Sequence, residues 1–407
     1  MDGLHWIGIA LATLAALGVA YQAFAFVMLG RFFSAPLPLA GRVGGGPVTA
    51  RAVSSVDAPT PNPSHKRDGD FDVTILKPLY GDEPRLKENL ATFLAQDHGG
   101  PVQLLCGIGD PSDPARQAVE ALQREHPQAD ITLVVNSVHH GANGKIGNLI
   151  NMMNEARYGT LVLSDSDMSV GPDYLATLLT VLAEPGVGAA TCFYRGRGDS
   201  GFWSRISAGI ISHVALPDMV VGYTTGLARP CMGSTIALRR ETLNAIGGFE
   251  RFADVLADDH AIGAAVAELG LRVEIPPLLL THACTETSFA ALWRQKLRWA
   301  ATIRGLQPWG YAGSIITRPL PLALLTALFM PTTGIMLSVA ALAVRVIVAS
   351  RVDRLSGPRT EVGSVALWQL PLIDLVDFLV FAASFTVRKI DWRGSRLTIE
   401  TDGRITA

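Results

Sequence analysis

Three long apolar runs dominate the hydropathy pattern, one at the N-terminal end and two towards the C-terminal end. From Gly3 to Gly30 the sequence has no Asp, Glu, Lys or Arg. At about 1.5 Å per helical residue, this run is long enough for a bilayer core of about 30 Å. Asp2 precedes it and Arg31 follows directly, unlike the basic start and cleavage site of a signal peptide. The pattern predicts an uncleaved transmembrane anchor over residues 4–29.

The second run, Pro319–Val344, is also free of charged residues. Pro331 and Gly334 interrupt its middle, and a proline inside a helix removes a backbone hydrogen bond. The pattern predicts a transmembrane segment over residues 315–349, either as one kinked span or as a tight hairpin.

The third run predicts a transmembrane helix over residues 365–387, although it contains Asp374 and Asp377. Carboxylates three residues apart share a helix face, and they either bond a neighbouring helix or contact a polar group of a lipid. Residues 388–407 form a basic tail. Because basic segments favour the cytoplasmic side, the tail and the segment after the anchor are both predicted to be cytoplasmic, and three spans are favoured over four.

A linker and a block of ordinary soluble composition lie between these runs. Residues 34–70 are rich in Pro, Gly, Ser and Ala, which predicts a flexible linker. The following block alternates short apolar runs with stretches of helical spacing, which predicts an α/β fold with a parallel sheet and helices on both faces. The expected strands are 71–77, 102–109, 131–135, 161–163 and 188–193.

The composition of the 407-residue chain fits this division. Hydrophobic residues make up 49% and charged residues 17%, whereas soluble domains carry about 25% charged residues. This excludes a disordered chain and argues against a wholly soluble one. The formal net charge of −2 argues against a nucleic-acid binder, because it offers no basic excess for phosphates. The four widely spaced cysteines suggest reduced thiols, not a zinc site or a disulfide framework.

Acidic residues follow two of the expected strands. Asp165 and Asp167 form an Asp-x-Asp pair after strand 161–163, and Asp110 ends strand 102–109. Such a pair in a turn can hold Mg²⁺ or Mn²⁺ together with phosphates, and an Asx turn or a helix cap is the alternative. Asp110 can accept a hydrogen bond from a base or ribose, or it can begin an Asp-Pro turn.

Further candidate residues lie where helices are expected to begin. Asp258 and Asp259 open a helix, so one carboxylate can cap it while the other acts as a general base beside a hydroxyl. Lys145 precedes another helix, where a lysine can meet a phosphate or a base.

The aromatic and basic segment 289–309 allows two interpretations. One is an amphipathic helix at the membrane surface. In the other, Gln295 and Arg298 share a helix face and hold a diphosphate, while Trp299 supplies a flat wall for an acceptor.

The order of these motifs resembles a known enzyme family. Asp110, Asp165-x-Asp167, Asp259 and the Gln295-x-x-Arg298-Trp299 motif follow the D, DxD, D, (Q/R)xxRW order of lipid-directed glycosyltransferases with the GT-A fold. Flanking residues resemble the ceramide glucosyltransferase family at 75–81, 110–115, 257–260 and 391–394. Within that family, the segments 134–151, 191–197, 238–243 and 310–314 resemble the hopanoid-biosynthesis glycosyltransferases most.

The resemblance implies a role for each matching residue. Asp110 would bind the uridine end of a UDP-sugar, and Lys145 would lie near the nucleotide. Asp165 and Asp167 would bind the diphosphate through Mg²⁺ or Mn²⁺. Asp259 would deprotonate the acceptor hydroxyl, which predicts inversion at the anomeric carbon.

The same resemblance implies roles for residues that contact the leaving group and the acceptor. Gln295 and Arg298 would hold the diphosphate leaving group, and Trp299 would line the acceptor entrance. His213 is a further candidate, because the family has a functional His between the DxD motif and the base; a helix-surface or interface His is the alternative. The implied GT-A (Rossmann-like) catalytic domain covers residues 71–310, includes interfacial helices and faces the cytoplasm at a bacterial inner membrane.

The implied reaction joins a UDP-sugar to a membrane lipid. The leading expectation is transfer of N-acetylglucosamine or a related hexose to a hopanoid polyol such as bacteriohopanetetrol. A ceramide glucosyltransferase is the alternative, and a polysaccharide synthase is a weaker third candidate because few spans are expected. The ordered carboxylates count against a transporter or a lipid-binding membrane protein.

Overall fold

The computed structural model describes residues 2–35, 72–355, 365–387, 389–392, 395–399 and 405–406. The linker predicted over residues 34–70 lies outside these ranges apart from its first two residues. The strands are β1 Val73–Pro78, β2 Val102–Ile108, β3 Asp130–Val135, β4 Thr160–Ser164, β5 Met168–Ser169, β6 Val187–Thr191, β7 Phe193–Gly198, β8 Thr235–Arg239, β9 Arg272–Glu274, β10 Leu279–Cys284, β11 Lys389–Trp392, β12 Ser395–Ile399 and β13 Ile405–Thr406.

The helices separate and cover these strands. They are α1 Asp2–Phe33, α2 Leu86–Ala91, α3 Ala115–Glu125, α4 Gly144–Met152, α5 Tyr174–Leu182, α6 Phe202–Gly209, α7 Leu216–Thr224, α8 Arg240–Ala245, α9 Asp258–Glu268, α10 Phe289–Leu306, α11 Pro308–Gly313, α12 Pro319–Ala327, α13 Pro331–Leu355 and α14 Leu370–Ser384. A π-helical turn, Ile210–Ala215, joins α6 to α7.

A seven-stranded sheet with the order β3-β2-β1-β4-β8-β6-β9 forms the centre of the domain. β1 pairs in parallel with β2 and β4, and β2 pairs in parallel with β3. β8 runs antiparallel to both of its neighbours, β4 and β6. The predicted α/β architecture is confirmed, whereas the expectation of a wholly parallel sheet is wrong at β8.

Side chains of β1 alternate between two cores. Ile75 packs with Leu90 of α2 and Val119 of α3 on one face of the sheet. The next residue, Leu76, packs with Leu149 of α4 and other residues on the opposite face. Because successive strand residues point to opposite faces, both faces of the sheet are covered by helices.

A smaller sheet with the order β5-β10-β7 lies against the carboxyl end of β4. β5 begins directly after Asp167, and β10 pairs with it through His282 and Met168. The carboxylate turn is therefore fixed between two sheets. A third sheet, β11-β12-β13, is formed by segments of the predicted basic tail.

Among the described residues, four helical segments are long and apolar enough, by length and composition, to cross a membrane: Gly3–Phe33, Phe202–Thr224, Pro331–Leu355 and Leu367–Ser384. The first, third and fourth overlap the runs that hydropathy indicated. Most of Phe202–Thr224, in contrast, is buried inside the protein.

Residues 315–349, for which two forms were predicted, belong to a hairpin of the short α12 and the long α13. The turn between the two helices lies at the N-terminal end of α1, where Gly8 closely approaches Met330. α13 then runs along α1, and Gly30 approaches Arg351 near the other end.

Candidate active site

A groove of about 510 Å³ lies at the carboxyl ends of β1, β2 and β3. Tyr80 follows β1, Asp110 follows β2 and Asn136 follows β3, and all three line the groove. The N-terminal part of α4 forms another wall through Gly144 and Gly147. The size is that of a small-molecule site, and the place is the strand edge where α/β sheets bind ligands.

Asp110 lines this groove and also makes a local turn. Its Oδ1 accepts hydrogen bonds from the Ser112 hydroxyl, at 2.6 Å, and from the Ser112 backbone N–H, at 2.8 Å. These bonds lower the pKa of Asp110. The residue therefore presents an ionised acceptor to the groove.

Lys145 connects the groove to the acidic residues. Its Nζ lies 2.7 Å from Asp165 Oδ1 and 3.3 Å from Asp258 Oδ2. Burial opposes the lysine charge, but Asp165 and Asp258 outweigh burial and raise the pKa of Lys145. For Asp165 burial is the larger effect, and its pKa is raised even though Lys145 opposes the rise.

Asp167 is paired with His282 of β10, whose Nε2 lies 3.1 Å from Asp167 Oδ2. Burial disfavours both charges, but the pairing lowers the pKa of Asp167 and raises that of His282 well above its usual value. The second oxygen, Asp167 Oδ1, is buried and has no hydrogen-bond partner among the described residues. An orphaned carboxylate oxygen of this kind is a suitable ligand for a divalent cation.

Lys77 of β1 stabilises the Asp165–Asp167 turn through hydrogen bonds. Its Nζ donates hydrogen bonds to Ser164 Oγ at 3.0 Å and to the Asp165 carbonyl at 2.8 Å. The ammonium also lies over the Phe93 ring, 3.4 Å from its centroid. Burial lowers the pKa of Lys77 to about 7.

Asp258 and Asp259 begin α9 beside Lys145. Asp259 Oδ2 accepts a hydrogen bond from the Gly233 N–H at 3.0 Å, and Oδ1 accepts one from the His260 N–H at 2.8 Å. Burial, and after it the charge of Asp258, raises the pKa of Asp259 to about 6. A carboxylate with such a pKa is ionised near neutral pH and is a stronger proton acceptor than an ordinary aspartate.

Helix α10 lies beside the His282–Asp167 pair. The Trp299 and His282 ring centroids are 6.0 Å apart in an edge-on arrangement, and Lys296 Nζ lies 4.2 Å from the Trp299 centroid. Gln295 Oε1 is buried and has no hydrogen-bond partner among the described residues, and Arg298 is half-buried one turn further along. The structure thus places Trp299 next to His282, the partner of Asp167, and the roles of Trp299, Gln295 and Arg298 stay predictions.

His213 occupies a different place from the other candidates. It is buried in the π-helical turn, and its Nε2 lies 2.9 Å from Asp353 Oδ1 of α13. Its carbonyl accepts a hydrogen bond from Arg345 of the same helix. These contacts favour the interface alternative over a role at the acceptor.

The sequence interpretation missed His282, Lys77 and Asn143. His282 and Lys77 lie in apolar strands and reach the carboxylate turn through contacts between segments distant along the chain. Asn143 directly precedes α4, and its contact with Asp258 is equally distant in sequence. The histidine in the apolar strand Leu279–Cys284 is the one local signal that could have found His282.

A nucleotide-sized groove at the strand ends, next to a carboxylate pair and a poised aspartate, is typical of α/β proteins that bind nucleotides. The chain belongs to Glycosyl transferase family 21, whose family model matches residues 46–405.

Two curated relatives come from Caenorhabditis elegans. Ceramide glucosyltransferase 1 is 25% identical over 224 residues, which cover 53% of this chain and 47% of the relative. Ceramide glucosyltransferase 3 is 26% identical over 230 residues, which cover 53% of this chain and 48% of the relative. The matched region therefore spans about half the length of each relative.

Solved structures show a weaker similarity. The mannosyltransferase PcManGT from Pyrobaculum calidifontis, in complex with GDP-Man and Mn²⁺, has a TM-score of 0.49 and 19% identity, covering 94% of this chain and 99% of that chain. Glucosyl-3-phosphoglycerate synthase from Mycobacterium tuberculosis, in complex with Mn²⁺, UDP and phosphoglyceric acid, has a TM-score of 0.38 and 16% identity, covering 57% and 78%. The family assignment rests on the sequence match and not on these structures.

Proposed function

We propose that this protein is a membrane-bound, inverting glycosyltransferase that moves a sugar from a UDP-sugar to a hydroxyl group of a lipid. The observation that carries the proposal is the position of Lys145. It belongs to α4, whose Gly144 and Gly147 line the groove, and it contacts both Asp165, of the Asp-x-Asp pair, and Asp258, the neighbour of Asp259. Lys145 therefore lies between the Asp-x-Asp pair and the start of the helix that carries Asp259.

The donor would lie along the groove with its diphosphate towards Lys145. Asp110 would accept hydrogen bonds from the uridine, since it is ionised and lines the groove. The Lys145 ammonium would offset phosphate charge, and Gln295 and Arg298 would hold the leaving diphosphate from α10.

The Asp165–Asp167 turn suits a divalent cation that substrate phosphates share. Within the described part of the chain no three His, Cys, Asp or Glu side chains converge on one point, so phosphate or water oxygens would complete the coordination. Asp167 Oδ1, which is buried and has no hydrogen-bond partner among the described residues, is the oxygen that would coordinate such an ion. Mg²⁺ or Mn²⁺ bound there would stabilise negative charge on the departing UDP.

Asp259 would act as the base. Its carboxylate is held by two backbone N–H groups and has a pKa of about 6, so it is ionised at neutral pH and can take the proton of an attacking hydroxyl. A base that activates the acceptor on the face opposite the leaving group inverts the anomeric centre.

The acceptor side would face the membrane. α10 exposes Phe289 and Ile303 and leads to Trp309, whose side chain is 89% exposed. Exposed apolar and aromatic side chains of this kind are typical of a surface inserted among lipid headgroups. With α1 and the α12–α13 hairpin across the bilayer, the catalytic domain would lie on the cytoplasmic side of a bacterial inner membrane, and Trp299 would line the acceptor entrance.

Two acceptors are candidates. The names of the relatives favour ceramide with glucose as the sugar, and the sequence resemblance favours a hopanoid polyol with N-acetylglucosamine.

The test uses membranes that contain the full-length protein. They are incubated with UDP-glucose, UDP-N-acetylglucosamine or UDP-galactose and with ceramide or a hopanoid polyol, and the lipid product is identified by mass. Transfer that is lost in Asp259→Asn, with UDP binding retained, supports the proposal. No lipid product with any combination would overturn it, and a product on one acceptor decides between the two.

A further inference from the structure

The side chain of Asn143 is fully buried, and it connects α4, which lines the groove, with α9, which begins at Asp258 and Asp259. Its Oδ1 accepts hydrogen bonds from the backbone N–H groups of Lys145, at 3.0 Å, and Ile146, at 3.1 Å. Asn143 is therefore the N-cap of α4, and it fixes the backbone from which the Lys145 side chain projects.

The other end of the same amide faces the chain that leads into α9. Asn143 Nδ2 donates hydrogen bonds to the Val255 carbonyl at 2.7 Å and to Asp258 Oδ1 at 3.3 Å. The Asn143 backbone N–H donates to the Ala253 carbonyl at 2.7 Å. One residue earlier, the Ala142 N–H donates to Asp254 Oδ1 at 2.8 Å.

The side-chain chemistry explains why asparagine occupies this position. The amide supplies an acceptor for two helix N–H groups and donors for a carbonyl and a carboxylate at the same time. Aspartate has the acceptor without the donors, and alanine has neither. Since a buried polar group left unpaired is costly, aspartate should disturb only the contacts towards α9, whereas alanine should disturb those contacts and the cap of α4.

We propose that Asn143 is a positioning residue that fixes Asp259 relative to the donor-binding Lys145. The inference rests on the proposed function, in which Lys145 and Asp259 act on one substrate pair. Displacement of a reacting group by about 1 Å can lower a rate about 100-fold, so this link would affect turnover more than donor binding.

The test compares Asn143→Asp with Asn143→Ala in the full-length protein. Asn143→Asp keeps the cap of α4, so UDP affinity should stay within about threefold of wild type while kcat falls about 10- to 100-fold. Asn143→Ala should weaken UDP binding as well. Asn244→Asp, on the exposed surface of α8, is the matched control for the added charge and should behave like wild type.

Hydrogen exchange gives a readout that does not depend on turnover. In Asn143→Asp the amides of residues 253–261 should exchange faster, while those of residues 145–149 should keep their wild-type rates. Asp254→Ala removes one surface bond of the same link without touching a buried residue, and it should change the same amides in the same direction.

The outcomes separate the two proposals. Wild-type exchange over residues 253–261 in both Asn143→Asp and Asp254→Ala, or wild-type kcat in Asn143→Asp, would overturn the positioning role. Absence of transfer by the wild-type protein would overturn the proposed function, and the exchange measurement would still decide whether the link exists.

Helix α14 packs lengthwise against α10 and does not cross it at an angle. Near its start Ile373 packs with Leu292 of α10, and further along Phe381 packs with Ala300. Just beyond its end, the Val387 carbonyl accepts a hydrogen bond from Arg304 at 2.6 Å. The two helices thus run side by side over nearly their whole lengths.

α10 cannot cross a bilayer at reasonable cost, because it carries four basic residues, Arg294, Lys296, Arg298 and Arg304. We infer that α14 lies with α10 in the plane of the membrane, on the side of the catalytic domain. Its exposed Leu375 and Leu379 then face the acyl chains. This differs from the span that hydropathy alone indicates. α13, which runs along α1 as far as Gly30, returns the chain to the domain side.

Single cysteines at Trp368 and Phe385, both exposed, test this orientation, since the four native cysteines are buried. A membrane-impermeant maleimide is applied to intact spheroplasts and to inverted vesicles. Both positions should react from the same side as a cysteine at Thr287, an exposed residue just before α10. Reaction of one of the two from the opposite side would overturn the inference.

Discussion

His282 Nε2 lies 3.1 Å from Asp167 Oδ2, so the second carboxylate of the Asp-x-Asp pair is held by a strand from a distant part of the chain. β10 brings the histidine there because it pairs with β5, the strand that starts directly after the carboxylates. One oxygen of Asp167 is thereby fixed and the other stays available. The pairing of β10 with β5 therefore also sets the position of His282 beside Asp167.

Replacing His282 should weaken the response to metal. In His282→Asn, Asp167 loses its charged partner, its pKa rises and its free oxygen is no longer oriented. We expect the Mn²⁺ concentration for half-maximal activity to rise about 10- to 100-fold, the usual effect of losing a residue that orients a metal ligand. A metal titration after chelation measures it. His126→Asn, on the surface after α3, is the control, and an unchanged metal requirement in His282→Asn would contradict the expectation.

The pH profile should report the environment of Asp259. The base acts only when it is deprotonated, and its pKa is raised to about 6 by burial and by Asp258. Turnover should therefore fall as pH drops through about 6 and should be flat just above it. In Asp258→Asn the neighbouring negative charge is gone, so this limb should move to lower pH. A limb that stays in place or moves upward would argue against Asp259 as the base.

Lys145→Met should weaken the binding of UDP. The variant loses a cation that would contact the diphosphate, and a charge-assisted hydrogen bond is worth about 1.5–3 kcal/mol, or about 10- to 100-fold in affinity. Calorimetric titration with UDP measures the loss. Lys87→Met removes an exposed ammonium that pairs with Glu125, and it should bind UDP like wild type. Equal affinities in the two variants would exclude Lys145 from the donor site.

The ion pair between Arg345 and Asp374 should support the helical region. Arg345 Nε lies 2.9 Å from Asp374 Oδ1, and both side chains are buried. Removing one partner leaves an unpaired buried charge, which costs about 3–5 kcal/mol, so Arg345→Met should lower the unfolding temperature in detergent. Arg345→Met/Asp374→Leu should recover most of the loss. A double variant no more stable than the single one would show that the pairing is not the cause.

This ion pair also settles one alternative from the sequence. Two carboxylates in an apolar run could bond a neighbouring helix or meet a lipid group. Asp374 pairs with Arg345 of α13, and Asp377 pairs with Arg318 at 2.8 Å, just before α12. The arginines that border the second apolar run are the partners of the carboxylates inside the third.

Local patterns predicted much of the catalytic domain. Alternating apolar runs and helical spacing indicated the strands at β1, β2, β3, β4 and β6, because side-chain periodicity follows directly from burial of one or both faces. The pattern did not indicate β8, Thr235–Arg239, which enters the sheet between two strands that are distant from it in sequence. Its antiparallel direction depends on the path of the preceding helices, which local spacing does not encode.

The sequence by itself determined five strands of the main sheet, the apolar ends and the candidate residues Asp110, Lys145, Asp165, Asp167 and Asp259, since strand ends and helix starts have local signals. Tertiary structure decided which of them meet. It joined Lys145 to Asp165 and Asp258, brought His282 to Asp167 and gave His213 to α13 instead. The physical reason is that charges interact through space over a few ångströms, and the distance between two side chains is set by packing and not by their separation along the chain.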